Sequence, residues 1–182
     1  MIYWDNAATT YPKPAAVQQA VATALRQYGA NPGRGGHAMS LATSEQLYRC
    51  REAAAAFFGL SDPTGVIFTP NCTASLNLVI QGLLANGGRV IISDLEHNAV
   101  WRPVYALSPR FPRYDIAAWD ADEDRLVENF RRAIRPDTRL IVCTHASNVF
   151  GVTFPLRRLA ELAHMHGLLL CVDAAQSAGV LP

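Results

Sequence analysis

Short apolar runs alternate with segments of helical periodicity along the second half of the chain. Four of these runs are predicted to be strands, at 66–69, 89–93, 140–144 and 168–172, and 114–119 is a further strand candidate. The segments between them are predicted to be helices, one from about Thr73, a short one after 89–93 and one over about 155–166. Strands that are separated by helices form βαβ units, so this pattern predicts an α/β fold with a mostly parallel sheet covered on both faces.

The first part of the chain predicts helices without strands. Pro12 and Pro14 suit the first turn of a helix over about 15–27. A loop with three glycines and a proline follows at 31–36, and Ser40 is predicted to cap a second helix that ends near Phe58, just before a glycine.

Composition narrows the class of protein. The chain has 182 residues, half of them apolar, and a formal net charge of +1 with scattered arginines. It is therefore predicted to be globular and to bind neither nucleic acid nor a membrane. The N-terminus lacks the features of a signal peptide, which favours the cytoplasm. The four cysteines show no CxxC spacing, which favours neither a zinc site nor a disulfide framework.

Polar motifs follow the predicted strands, at the sheet edge where open α/β sheets bind ligands. The segment Asn71 to Ala74 stands between a predicted strand and a predicted helix. The free N–H groups at the N-terminus of a helix bind anions, and the Thr73 hydroxyl would add one more donor to such a site. The alternative is that Asn71 or Thr73 merely caps the helix, and for the motif taken alone this alternative is favoured.

His97 and Asn148 follow the next two predicted strands. A histidine there could stack on a planar ligand or move a proton near neutral pH. Asn148 offers a donor and an acceptor, which suits a carboxylate or a phenolic oxygen. The alternatives are that His97 is a solvated loop histidine and that Asn148 is an ordinary turn asparagine. The two functional interpretations therefore rest on the position of each residue after a predicted strand.

Asp173 ends the run LLLCVD, and two candidate ligands for it can be tested against the sequence. A magnesium-nucleotide site would need a phosphate loop, but the only lysine, Lys13, follows no glycine. A dinucleotide site would need a strand before the GxGxxA match at 33–38, and Asn-Pro stands there instead. His164 and His166 do not share a helical face, so no metal site is predicted.

Several motifs occur in order along nearly the whole chain: DNAATT, NPGRGGHAMS, NCTASLN, EHNAVWRP, THASNVFG and VDAAQSAG. Together they resemble the cysteine desulfurase-like proteins of the class V aminotransferase family, which use pyridoxal 5′-phosphate (PLP) on the fold type I scaffold. The resemblance implies a three-layer α/β/α large domain, of which the chain would supply the first part. It divides the chain into an N-terminal segment and helix, 1–30, and a PLP-binding part, 31–182.

The resemblance also implies cofactor contacts. Thr73, with the backbone at Cys72 and Ala74, would hold the PLP phosphate. Asp173 would pair with the pyridine nitrogen, where a carboxylate favours the protonated ring. The remaining implied contacts are stacking and proton transfer by the catalytic candidate His97, and hydrogen bonds to the ring oxygen from Asn148 and Gln176.

Substrate contacts are implied in the same way. Asn148 would also contact the substrate carboxylate, and the substrate entrance would be lined by Asn6, Ala7, Arg34 and His37. The implied reaction removes sulfur from cysteine, or selenium from selenocysteine, and leaves alanine. A homodimer and a sulfur-acceptor protein are the implied partners.

One departure bears on activity. Family members attach the cofactor to a lysine in a Ser/Gly-x-His-Lys segment beyond the stretch that matches 173–176, and Lys13 is no match for it. Cys72 likewise does not match the sulfur-carrying cysteine. The domain is therefore expected to be incomplete and the chain inactive alone. The alternatives are a family enzyme with another amino-acid substrate, or a cofactor-free scaffold or interaction fragment.

Overall fold

The computed structural model describes residues 2–33, 35–107 and 113–181. The chain divides into two compact units, Met1–Phe68 and Thr69–Pro182, called here the N-terminal and C-terminal units. The division near residue 30 that the family resemblance implies stays a prediction. No helix among the described residues is both long and apolar enough to span a membrane.

The N-terminal unit is built from helices. Helix α1 covers Ala15–Gln27, as the sequence predicts, and has no buried residue. Helix α2 covers Ala38–Phe57, and a short 3₁₀ turn follows at Pro63–Gly65. The predicted cap of α2 is wrong: His37 is the N-cap, and its Nδ1 accepts from the Ser40 N–H at 3.3 Å. Ser40 lies inside the helix, where its hydroxyl donates to the Asn31 carbonyl.

The C-terminal unit contains a four-stranded sheet. Its strands are β1 Arg89–Ser93, β2 Tyr114–Ala117, β3 Thr138–Thr144 and β4 Leu169–Asp173. They lie in the order β2-β1-β3-β4, and all three pairings are parallel. The parallel sheet that the alternating pattern predicts is thus confirmed.

Four helices cover the sheet. They are α3 Cys72–Leu84, α4 Asn98–Ala106, α5 Glu123–Ala133 and α6 Leu156–Met165. One core contains buried side chains of α3 and α4 with Val90 and Ile92 of β1. The other contains buried side chains of α5 and α6 with Ile91. Because successive strand residues point to opposite faces, the sheet is buried on both sides, which confirms the three-layer α/β/α prediction.

The structure differs from the predicted secondary structure in two places. Residues 66–69 form no strand within the described part of the chain, although the run is apolar. A strand requires a hydrogen-bonded neighbour, and the described sheet offers none to this segment. Helix α5 was not predicted, yet it carries an Asp122 cap and buries Leu126, Phe130 and Ala133 on one face.

The sheet order creates a switch point. The connection from β1 leads outward to β2 through α4 on one face, whereas β3 leads outward to β4 through α6 on the other. The chain therefore departs in opposite directions from the neighbouring strands β1 and β3. A crevice forms outside the carboxyl ends of two such strands, and ligands of open α/β sheets bind there.

Candidate functional site

A cavity of about 240 Å³ lies at this edge of the sheet. The start of α3 and the loops after β1, β3 and β4 contribute its lining, which consists of Asn71, Cys72, Thr73, His97, Ala99, Thr144, Ala146, Asn148, Asp173, Ala175 and Gln176. All four motifs that the sequence places after strands or before a helix therefore meet in one place.

The N-terminus of α3 points donors at the cavity. Asn71 is the N-cap, and its Oδ1 accepts from the Ala74 N–H at 2.9 Å. The N–H groups of Cys72 and Thr73 make no hydrogen bond to any described residue, and both residues are exposed. Two unpaired N–H groups at the positive end of a helix form an anion site, so capping by Asn71 and anion binding are compatible here.

Asp173 is the buried carboxylate of the cavity, with 6% of its surface exposed. Its Oδ1 accepts from the Ala175 N–H at 3.0 Å and from the Cys72 thiol at 3.4 Å. Asp173 ends β4 opposite Thr144 of β3, and its own carbonyl accepts from the His145 N–H at 2.9 Å. Backbone and side-chain contacts thus hold the carboxylate at the cavity wall.

The thiols near Asp173 are held neutral. Although Cys72 is exposed as a residue, partial burial of its thiol, followed by the negative charge of Asp173, raises its pKa to about 11. Burial and the same charge raise the pKa of Cys171 to about 11. A thiol with such a pKa is a weak donor at neutral pH and a poor nucleophile. Cys72 is therefore suited to orienting Asp173 and unsuited to carrying sulfur.

His97 stands at the start of α4, where it is exposed. Its Nδ1 accepts from the Ala99 N–H at 3.1 Å, so the ring is fixed by the helix that it caps. With Nδ1 used as the acceptor, the neutral ring carries its proton on Nε2. The cap leaves the ring face and Nε2 for a ligand.

Asn148 lies at the tip of a tight loop after β3. The Ser147 hydroxyl accepts from the N–H groups of Val149 and Phe150, at 3.4 and 3.3 Å. Gly151, with φ of +68°, donates its N–H to the Ser147 carbonyl at 3.0 Å. A residue with a side chain is strained at this φ, so the glycine allows the turn that exposes Asn148 beside the cavity.

Glu96 is a buried carboxyl immediately before His97, with 8% of its surface exposed. Its Oε1 accepts from the Ser93 hydroxyl at 2.5 Å and from the Thr144 N–H at 2.9 Å, whereas the buried Oε2 has no hydrogen-bond partner among the described residues. Burial raises the pKa of Glu96 to about 7, and the charge of Asp173 adds to the rise.

The structure brings most of the predicted cofactor residues together. Six of the seven line the cavity: Cys72, Thr73, His97, Asn148, Asp173 and Gln176. Ala74 is absent from the lining, and its N–H is engaged by Asn71. The roles that the resemblance implies for these residues stay predictions.

The predicted substrate residues other than Asn148 belong to the N-terminal unit. The Asn6 side chain accepts from the Tyr11 N–H at 3.1 Å, Ala7 lies in the adjoining turn, and His37 caps α2. Arg34 lies outside the described residues. Their predicted contribution to a substrate entrance stays a prediction.

Sequence reasoning did not assign a role to Glu96. The residue stands inside the motif EHNAVWRP, and a carboxylate three positions after a buried strand was the available signal. Its burial depends on Ser93 and on Thr144, which is 48 positions away along the chain. Within the described ranges no cluster of three or more His, Cys, Asp or Glu could hold a metal ion.

Comparison with known proteins identifies the class of protein. The family model for aminotransferase class V matches residues 2–182, and the chain therefore belongs to this family. Among curated relatives it is similar to a probable cysteine desulfurase of Methanothermobacter thermautotrophicus, with 34% identity over 181 residues that cover 98% of this chain and 44% of the relative.

Solved structures of the same kind share the fold. The apo cysteine desulfurase of Thermococcus onnurineus NA1 matches with a TM-score of 0.84 and 30% identity, over 98% of this chain and 45% of that one. SspA in complex with cysteine matches with a TM-score of 0.86 and 27% identity, over 97% and 51%. A mutant of C-DES with glycine covalently linked to its PLP cofactor matches with a TM-score of 0.76 and 25% identity, over 93% and 46%. The chain thus spans about half the length of these proteins.

Proposed function

We propose that this chain supplies the cofactor-holding part of a PLP-dependent enzyme that acts on cysteine or a related sulfur or selenium amino acid. One observation carries the proposal: a single cavity combines two N–H groups at a helix N-terminus, which have no partner among the described residues, with the buried carboxylate of Asp173. The first group suits a phosphate, and the second suits a protonated ring nitrogen.

The residues present fit the cofactor. The Cys72 and Thr73 N–H groups, with the Thr73 hydroxyl, would bind the phosphate. The Asp173 carboxylate, oriented through Oδ1 by the Cys72 thiol and the Ala175 N–H, would hold the proton on the ring nitrogen. His97 would stack on the ring face while its Nδ1 stays engaged in the α4 cap.

PLP, when bound, supplies an electron-withdrawing ring that stabilises negative charge at the α-carbon of an attached amino acid. This chain's residues would maintain the conditions for that chemistry. Asp173 keeps the ring nitrogen protonated, Asn148 and Gln176 donate to the ring oxygen, and His97 Nε2 is the group that exchanges a proton with solvent or substrate.

Cysteine or selenocysteine is the proposed substrate of the whole protein, with alanine as the organic product. The names of the relatives support this choice, since they include cysteine desulfurases and a complex with cysteine. A homodimer in the cytoplasm that passes sulfur to an acceptor protein is the accompanying proposal. Analytical ultracentrifugation of the chain and of a full-length relative would test the dimer.

The test is PLP binding to the 182-residue chain, measured by equilibrium dialysis. We expect PLP to bind saturably and pyridoxal, which lacks the phosphate, to bind more weakly. Inorganic phosphate should inhibit the binding of PLP. Asp173→Asn should weaken PLP binding by about tenfold or more, because a charged hydrogen bond of about 1.5–3 kcal/mol is lost. Asp124→Asn is the matched control, because Asp124 is exposed and lies outside the cavity lining.

Two outcomes would overturn the proposal: PLP binding no tighter than that of pyridoxal, or an Asp173→Asn variant that is folded and binds like the wild type.

A further inference from the structure

Cys72 stands where the two halves of the candidate site meet. It is the first residue of α3, and its N–H has no hydrogen-bond partner among the described residues. Its thiol donates to Oδ1 of Asp173 at 3.4 Å, across 101 positions of the chain. One residue therefore belongs to the anion site through its backbone and contacts the buried carboxylate through its side chain.

The contacts of Asp173 distinguish its two carboxylate oxygens. Oδ1 accepts from the Cys72 thiol and from the Ala175 N–H, whereas Oδ2 has no hydrogen-bond partner among the described residues. Asp173 is buried and lines the cavity. Because two donors on Oδ1 restrict the rotation of the carboxylate, Oδ2 is the oxygen that remains to accept a hydrogen bond from a ligand.

The protonation states of the two side chains agree with this arrangement. A donor on a carboxylate oxygen stabilises the ionised carboxylate, and the carboxylate in turn stabilises the neutral thiol, because a thiolate could not donate. Burial, followed by the charge of Asp173, raises the pKa of Cys72 to about 11. The thiol therefore retains its proton at neutral pH and serves as the donor in this contact.

We propose that Cys72 is a positioning residue that couples the two halves of the cofactor site: its N–H binds the phosphate, and its thiol directs Oδ2 of Asp173 to a protonated ring nitrogen. The proposal deepens the proposed function and rests on it for the identity of the ligand. Ala175 follows β4 directly, so it is the Cys72 contact that joins Asp173 to the start of α3. Removal of the thiol should therefore weaken binding of the ring and leave the phosphate site intact.

The first experiment separates the two halves with two probes. The affinities of the 182-residue chain for PLP and for inorganic phosphate alone are measured by isothermal titration calorimetry. Cys72→Ala keeps the N–H and removes the thiol, so we expect PLP binding to weaken by about fivefold and phosphate binding to stay within about twofold of the wild type. Cys72→Ser keeps a donor on a shorter side chain and should lie between wild type and Cys72→Ala. Cys50→Ala is the matched control, because Cys50 is exposed on α2, and it should bind both probes like the wild type.

The second experiment needs no cofactor. Alkylation of each cysteine by iodoacetamide is followed by mass spectrometry, with the exposed Cys50 as the internal reference. Asp173→Asn removes the charge that stabilises the neutral thiol, so Cys72 should be alkylated at least about threefold faster, relative to Cys50, than in the wild type. Inorganic phosphate bound at the Cys72 N–H should slow the alkylation of Cys72 and leave that of Cys50 unchanged.

Three results would overturn the proposal. Equal weakening of PLP and phosphate binding in Cys72→Ala would show a merely structural role, and unchanged PLP binding would show no role. An unchanged rate of Cys72 alkylation in Asp173→Asn would overturn the contact itself. If Cys72→Ala does not fold, the same comparison of PLP with phosphate in Cys72→Ser decides.

Failure of the proposed function would be recognised separately. A wild type that binds no PLP would refute that function and with it the ring-binding part of this proposal. Faster alkylation of Cys72 in Asp173→Asn would in that case still support the contact between the two side chains.

Discussion

The C-terminal and N-terminal units differ in how they use their apolar residues. In the C-terminal unit, buried side chains lie on both faces of the sheet, and Phe130, Leu140 and Leu159 have no exposed surface. In the N-terminal unit, Ala55 is the one buried apolar side chain among the described residues, and Leu25 of α1 is 79% exposed. Helical periodicity therefore predicts a helix equally well in both units, but it does not show what the apolar face contacts.

This difference also concerns the candidate site. The cavity is built entirely from the unit that has the two-faced core, and its lining residues stand at strand ends, at helix starts and on the loops that directly follow the strands. The residues at the strand ends and helix starts, such as Asp173 and Cys72, are held more accurately than residues on loops.

The largest effect is expected in the core of the C-terminal unit. Leu159→Ala removes a fully buried side chain of α6, which should lower the free energy of unfolding by about 3 kcal/mol. Urea denaturation followed by far-ultraviolet circular dichroism measures the change. A loss below about 1 kcal/mol would show that this core is looser than the structure indicates.

The second effect concerns pH and Glu96. The pKa of Glu96 is about 7 in the folded chain and 4.5 in the reference state, so the folded form retains a proton that the unfolded form loses between these values. Stability should therefore fall as pH rises from 4.5 through 7 and then level off. The full rise in pKa sets an upper limit of about 3.5 kcal/mol on this contribution, at about 1.4 kcal/mol per pH unit.

Urea midpoints at pH 5 to 8 for wild type and Glu96→Gln would measure this contribution as the difference between the two curves. Other titrating groups are common to both proteins and cancel. A wild type that gains stability relative to Glu96→Gln with rising pH would contradict the assignment.

A smaller effect is expected at the helix cap of the site. Asn71→Ala removes the side chain that accepts from the Ala74 N–H and should cost about 1 kcal/mol of stability. Asn71→Ser keeps a capping oxygen and should lose less. Thermal unfolding of the three proteins measures the order, and an equal loss for Ala and Ser would contradict the capping role.

The smallest effect is expected in α1. Leu25→Ala makes the same substitution as Leu159→Ala at an exposed position and should change stability by less than about 0.5 kcal/mol. Urea denaturation under the same conditions gives a direct comparison of the two units. A loss as large as that of Leu159→Ala would show that α1 packs its apolar face in solution.

Local patterns predicted some elements closely. Helix α1 and strand β1 occupy the predicted ranges. Helix α1 was predicted from helical periodicity with prolines at its start, and β1 was predicted from a short apolar run. Both signals are properties of neighbouring residues, so they can be recognised without knowledge of the fold. The segment 66–69 is equally apolar and forms no strand, since strand formation depends on a distant partner. Helix α5 was missed although its Asp122 cap and its spacing of Leu126 and Phe130 were visible in the sequence.

The sequence alone determined the α/β class, because this follows from local periodicity. It also determined the order of the strand-end motifs and the residue types available to bind a phosphate and a ring nitrogen, because these follow from the identity of the side chains. Only the tertiary structure decided that these motifs meet at one switch point and that Cys72 contacts Asp173. It also decided that Glu96 is buried between two strands. Burial and contact depend on which distant segments pack together, and these packing partners set the pKa of Glu96 and the orientation of Asp173.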